Sequence, residues 1–381
     1  MTIQKESQIK NFLKNTENEN FTHLLEMSPV LVKWYQANKR PLPWRMIWEQ
    51  HRDPYHIWVS EVMLQQTIIS VVIPKYHNFL EAFPSVYDLA NSCDEEVKKA
   101  VRGLGYYRRF SMLHQGAKQV VANSKGSDSP VWPTDFKAWK ELPGVGDYTA
   151  AAVSSIAFGE VQAVVDGNVE RVFCRLFDIR LPPNLPLLKN SFKRLGNFCI
   201  DRKHPGDFNQ AIMELGQSIC TPSEPSCDIC PVKRWCHASN NASTAVSPAP
   251  KIKKEFVKLD LNLVIFRKKG QIGLLKRPQS AKFLKGTDGF LTLLKHGETF
   301  IPDGFENPYK NALKLQNLGV VSHNITNHRL KVQVSSADHK KVPKGREVEW
   351  LKAPQVEARL LANLDRKAWN LFLKQERELV N

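Results

Sequence analysis

Four cysteines, Cys220, Cys227, Cys230 and Cys236, are separated by only six, two and five residues, and no other feature constrains the chain so tightly. Thiolates this close in sequence can close round one metal centre, and Pro222, Pro225 and Pro231 stiffen the loop between them. A tetrahedral four-thiolate zinc site is the generic reading. An iron–sulfur cluster is the alternative, because thiolates serve both. The other three cysteines, Cys93, Cys174 and Cys199, fall among helical patterns and read as buried thiols rather than disulfide partners.

Upstream of that loop the chain is helical in texture. Apolar residues recur at spacings of three and four in IWVSEVMLQQTIISVVIPKYHNFL and DEEVKKAVRGLGYYRRFSMLHQGAKQVV. Downstream the texture changes. LDLNLVIFRKKGQIGLLKRP reads as two strands about a Lys-Gly turn, HRLKVQVSSA alternates as a strand, and ARLLANLDRKAWNLFLKQERELV as a closing amphipathic helix. A 381-residue chain is expected to form more than one domain. The division expected is a mobile tail over 1–25, a helical domain over 26–237, a linker over 238–255 and a smaller α+β domain over 256–381. The polar start MTIQKESQIKNFLKNTENEN has no secretory h-region, and no apolar run is long enough to span a bilayer. A soluble cytoplasmic protein with no membrane partner is therefore expected, nucleoid-associated if bacterial.

A net charge of +16 favours a polyanionic partner. Residues 1–240 hold 28 basic and 25 acidic residues, whereas the remainder holds 26 and 13. The excess thus lies in the C-terminal third, which argues for a second module that also touches the polyanion.

Leu142-Pro143-Gly144-Val145-Gly146-Asp147-Tyr148-Thr149-Ala150 lies between two helical patterns. Gly144 and Gly146 allow a tight turn and close approach, and the next helix offers free N–H groups suited to a phosphate. An ordinary helix–helix turn is the plainer alternative. Glu61 sits in the apolar run Ile57–Leu64, where a carboxyl group resists ionisation and suits a general acid; the alternative is a solvated helix edge. Asp166 precedes Gly167-Asn168 and reads as a helix N-cap, a role that would also fix a catalytic carboxylate.

LPGVGDYTA, VDGNVERV and the four-cysteine loop resemble the helix-hairpin-helix DNA glycosylase superfamily. PLPWR, DPYHIWVSEVMLQQT, GLGYYRR and FNQAIMELGQSICTPSEPSCDICPVKRWC further resemble its adenine DNA glycosylases of the MutY type, from about Leu31 to Cys236. The resemblance implies a mostly α catalytic domain with a 4Fe–4S cluster on the four cysteines, followed by an α+β Nudix-like domain. It implies a monomeric, monofunctional enzyme that flips adenine out of duplex DNA opposite 8-oxoguanine or guanine and hydrolyses its glycosidic bond. Glu61 would be the acid and base, and Asp166 the stabiliser of the sugar cation. Tyr148 stands where a strand-cleaving relative has lysine. Arg40, Trp44, Arg45, Leu64 and Glu214 match the adenine pocket, and Gln65, Gln66 and Tyr106, with Gly144 and Gly146 of the hairpin, match DNA contacts. Ile325-Thr326-Asn327 stands at the family's Phe-Ser-His recognition turn and lacks its aromatic ring. A hydrolytic Nudix motif is absent after Gly286, so no nucleotide hydrolysis is expected. The competing readings are a thymine-mismatch glycosylase and a non-catalytic DNA-binding module.

Overall fold

The computed structural model describes residues 22–127, 129–252, 255–278, 281, 283–284, 286–294, 315–325, 327–342 and 347–380. The chain divides into one compact unit ending at Ile252 and a second beginning at Lys253.

In the first unit a 3-10 turn (Thr22–Glu26) leads into α1 (Met27–Asn38), α2 (Pro43–His51), α3 (Pro54–Leu64), α4 (Ile69–Ala82), α5 (Val86–Asn91), α6 (Asp94–Ala100) and α7 (Arg108–Asn123). α8 (Phe136–Lys140), α9 (Asp147–Phe158), α10 (Gly167–Leu176), α11 (Pro186–Cys199), α12 (Pro205–Ser218) and α13 (His237–Asn240) follow. Their apolar faces form two cores. One gathers α1 and α10–α12 around Phe173, Phe192 and Phe208; the other gathers α3–α7 around Trp58, Tyr76 and Phe79. α9 serves both, with Ala151 and Ala152 in the first core and Ala150 and Val153 in the second. Small side chains on every face let this helix run between two packed layers. α3 starts at Pro54, with the Asp53 carboxylate accepting from Tyr55 N at 2.9 Å, and is buried along nearly its whole length. Trp58 packs edge-on to Trp139, the centroids 5.5 Å apart. A side chain at Gly116 of α7 would stand 2.8 Å from the Trp58 ring, so that glycine makes room for α3.

Three boundaries differ from the sequence expectation. The expected tail runs into structure at its end, because Leu24 is fully buried in the first core. Much of the expected linker is packed onto the helical unit. Ser247 Oγ donates to Cys174 O at 2.9 Å, Ser243 Oγ donates to Asp178 at 2.6 Å, and the Arg175 guanidinium donates to Ser247 O at 2.9 Å. Small polar residues there bond buried backbone groups instead of spacing domains. The expected closing helix is divided at Leu360, after α14 (Ala353–Arg359), and α15 runs Asn363–Val380. Leu360 is buried where the chain turns.

The second unit is a mixed sheet with β1 (Val257–Lys268), β2 (Gln271–Lys276), β3 (Asp288–Gly289), β4 (Leu291–Leu294), β5 (Gln316–Ile325), β6 (His328–Asp338) and β7 (Glu349–Leu351). Its main path is β3-β2-β1-β6-β5, with β4 on β1 and β7 on β2. β1 and β6 pair in parallel from Val257/His328 to Arg267/Asp338, and the other pairs are antiparallel. β1 is apolar on both faces. Leu259, Leu261, Leu263 and Ile265 meet Leu364, Trp369 and Phe372 of α15, while Val264 and Phe266 meet Leu291 and Leu293. Arg277 is buried against Asp365, with paired N–O contacts of 2.8 and 2.9 Å.

Candidate active site

Glu61 projects from the interior of α3 and is 6% exposed. Its Oε2 is buried without a hydrogen-bond partner. Burial pushes the carboxyl up to about 7. The Tyr148 hydrogen bond and the Arg45 charge draw it down, and the Asp166 charge pushes it up. The solvated-edge alternative for Glu61 therefore fails. The hydrophobic surroundings read from the sequence are present.

Tyr148 stands in the first turn of α9, where its hydroxyl donates to Met213 Sδ at 3.1 Å and lies close enough to the Glu61 carboxyl to draw it down. Burial and then the Glu61 and Asp166 charges push this phenol well above its ordinary value. Asp166 caps α10. Its Oδ1 accepts from Asn168 N at 2.9 Å and Val169 N at 2.8 Å, and its Oδ2 accepts from Asn168 Nδ2 at 2.9 Å. The cap and the positioned carboxylate are one arrangement. Glu61 and Tyr148 each sense the other, and both sense Asp166.

The pocket candidates separate into two kinds. Glu214, on α12 and 3% exposed, accepts from Arg40 through both oxygens and from Arg45 NH2 at 2.9 Å. Arg45 also donates to Gln210 Oε1 at 3.1 Å and lies 5.1 Å above the Tyr35 ring. Trp44, by contrast, is buried in the second core edge-on to Tyr76, and Leu64 packs partly buried against the same core. A cleft of about 340 Å³ reaches Arg45, Tyr35 and Gln210, but none of Glu61, Tyr148 or Asp166 lines it.

The hairpin between α8 and α9 turns at Gly144, whose φ of +77° favours glycine, and a side chain there would run into Met112. Gly146 caps α9 with open space beside it. Gln66 and Tyr106 both hold positive φ, 55° and 47°, and Tyr106 is 58% exposed. Gln65 turns inward, with its Nε2 donating to Thr149 Oγ1 at 3.3 Å.

The four cysteines are among the residues lining one small cavity of about 30 Å³. Burial first, then the neighbouring thiols, pushes Cys230 up to about 12. Among the described residues no three His, Cys, Asp or Glu converge as ligands of a single ion. Sequence reasoning missed the basic residues around this loop. Arg175 donates to Cys220 Sγ at 3.3 Å, Thr221 O at 2.6 Å and Pro222 O at 2.9 Å. Arg171 donates to Cys220 O at 2.9 Å and Asn168 Oδ1 at 3.1 Å, and Asn168 in turn holds Asp166. Their spacing of one helical turn on α10 shows only that they share a face, not what that face meets.

In the second unit Ile325 packs partly buried against the sheet core. Asn327 O accepts from Val257 N at 2.9 Å. Thr326 lies outside the described residues. No described helix is long and apolar enough to cross a membrane.

The HhH-GPD superfamily of base excision DNA repair proteins matches residues 59–193. The adenine DNA glycosylase of Homo sapiens is 42% identical over 236 residues, covering 59% of this chain and 42% of that protein. That of Buchnera aphidicola subsp. Baizongia pistaciae is 32% identical over 249 residues, covering 65% and 68%. The chain spans less than half the length of the human relative. A solved thermostable thymine-DNA glycosylase superposes with a TM-score of 0.51 at 27% identity, covering 59% of this chain and 100% of that one.

Proposed function

We infer, because this chain belongs to the adenine DNA glycosylase family, that it hydrolyses the N-glycosidic bond of adenine mispaired with 8-oxoguanine or guanine in duplex DNA. The observation that carries this reading is the buried Glu61 carboxyl, whose Oε2 has no partner and which burial pushes up to about 7. The glycosidic bond is poorly reachable in the stack, so adenine turns out into the protein. Neutral Glu61 donates its proton toward N7, and the C1′–N9 bond breaks with its electrons leaving on the base. Asp166, fixed by three donors, stabilises the sugar cation and forms a transient covalent adduct with C1′. Water, deprotonated by Glu61, displaces that adduct with retention. Tyr148 has no amine to form a Schiff base, so strand cleavage is not part of the reaction.

The ion-paired Arg40, Arg45 and Glu214 supply donors and acceptors for the adenine edge, with Trp44 and Leu64 as the apolar wall behind it. The hairpin about Gly144 and Gly146 takes a backbone phosphate, and Gln66 and Tyr106 enter the duplex, joined by Gln65 once it gives up its bond to Thr149. Cys220, Cys227, Cys230 and Cys236 would hold a 4Fe–4S cluster. Bound there, the cluster cross-links the loop that Arg175 and Arg171 tie to α10. The second unit acts as a Nudix-like module that recognises the opposite base through Ile325, Thr326 and Asn327. The protein works as a monomer.

Single-turnover base release from duplexes with A opposite 8-oxoguanine, A opposite G and T opposite G tests the reading. Release of adenine without strand nicking is expected. Release of thymine alone would replace it with the mismatch-thymine activity, and release of neither base would end it.

A further inference from the structure

Two turns carry the residues proposed to enter the duplex, and one side chain joins them. The Arg109 guanidinium donates to Gln65 O, to Thr67 Oγ1 at 2.9 Å and to Leu104 O at 3.3 Å. Its own N–H donates to Tyr106 O at 3.0 Å. It rests 4.7 Å from the centre of the buried Phe110 ring. On either side of this fork the backbone is strained, at Gln66 and at Tyr106, both non-glycine residues with positive φ. Strained positions persist where the surroundings over-determine them, and here the bonds to both turns come from one residue. Its Nε is buried without an acceptor, so the guanidinium is placed for the turns rather than for its own full satisfaction. Ile68, 69% exposed beside the first turn, and Tyr106 show that this surface has no partner within the described unit.

We propose that Arg109 is a positioning residue that couples the two turns, so that Gln66 and Tyr106 enter the base stack as one wedge and adenine is extruded. This rests on the glycosylase reading above. A lysine retains charge but cannot fork between two turns, so Arg109→Lys separates charge from geometry.

The experiment places 2-aminopurine at the adenine position opposite 8-oxoguanine and uses full-length Glu61→Gln, so that the base leaves the stack without being excised. Binding should raise its fluorescence, and adding Arg109→Lys should lower that rise by roughly tenfold. Affinity for undamaged duplex should stay within about twofold. Combined with Tyr106→Ala, Arg109→Lys should cause little further loss, whereas independent roles would multiply. Thr67→Val removes one acceptor of the fork and should give a smaller loss of the same kind, which keeps the test available if Arg109→Lys fails to fold. Extrusion that survives Arg109→Lys, or multiplying losses with Tyr106→Ala, overturns the inference alone. No fluorescence rise with Arg109 intact overturns the glycosylase reading together with it.

Discussion

Glu61 should weaken the fold it serves, in a pH-dependent way. Its carboxyl is raised from 4.5 to about 7 in the folded protein. Below about pH 4.5 it is protonated whether the chain is folded or not, and it adds no pH-dependent term. Between 4.5 and 7 the unfolded chain releases this proton and the folded one keeps it, so stability falls as pH rises. Above 7 the loss is complete at ~3 kcal/mol, from ~1.4 kcal/mol for each pH unit separating the two states. Glu61 is almost fully buried, so solvent screening does little to reduce the figure. Glu61→Gln keeps the shape and removes the ionisation. It should abolish adenine release while raising the melting temperature at pH 8.5 by roughly 6–12 °C, taking ~2–4 °C per kcal/mol for a domain of this size. At pH 5 the gain should shrink to about 2–3 °C. Melting both proteins across that range by tryptophan fluorescence reads the difference. A gain that is absent, or equal at both pH values, would refute a neutral, desolvated Glu61.

The single-turnover rate of adenine release should fall about tenfold per pH unit on the alkaline side of 7, as the protonated acid is lost. The Tyr148 hydrogen bond lowers Glu61, so Tyr148→Phe should move that alkaline limb to higher pH; a limb moving the other way would contradict the assigned contact. Arg175→Met strips donors from Cys220 Sγ and the carbonyls of Thr221, Pro222 and Ser247. It should cost ~3 kcal/mol or more and hasten loss of visible absorbance and bound iron to a chelator. Gly144→Ala meets both a positive φ and Met112, and should cost ~1–3 kcal/mol and weaken binding to undamaged duplex as well as mispaired duplex.

What could be read from the sequence was what is local. The hairpin, the Asp166 cap, the β1–β2 turn at Lys269-Gly270 and the apolar run around Glu61 each lie within a few residues, where turn chemistry and periodicity act. Contacts between distant segments could not be read in this way. Trp58 needs Gly116 on another helix, Ser247 bonds Cys174, and Leu24 fills a core built mainly from residues after 150. The burial of Glu61 itself is of this kind, since an apolar run shows which neighbours a glutamate has but not that another helix covers it. Arg171 and Arg175 were hidden for a different reason. An arginine pair four residues apart on a helix normally faces water, and only the folded cysteine loop supplies the carbonyls that bring both inward.

The two carboxylates acquire different chemistry from where each sits on its helix. Glu61 lies in a helix interior, where every neighbouring N–H is engaged in the backbone ladder and no donor remains for its Oε2. A proton is then the cheapest way to satisfy the oxygen, and the group becomes an acid near neutrality. Asp166 lies one residue before a helix begins, where backbone N–H groups have no ladder partner, and it takes two of them together with the Asn168 amide. Those donors require its oxygens to act as acceptors. Acid and stabiliser are therefore separated by backbone position before any substrate is bound. Exchanging the residues would test this. Glu61→Asp shortens the acid by one methylene and draws it away from Tyr148, so it should lose rate and pH dependence together. Asp166→Glu should lose rate while the alkaline limb near pH 7 stays in place, because that limb belongs to Glu61. A shift of the limb by Asp166→Glu as large as that by Tyr148→Phe would show that the two carboxylates titrate as one unit and that their roles are not divided in this way.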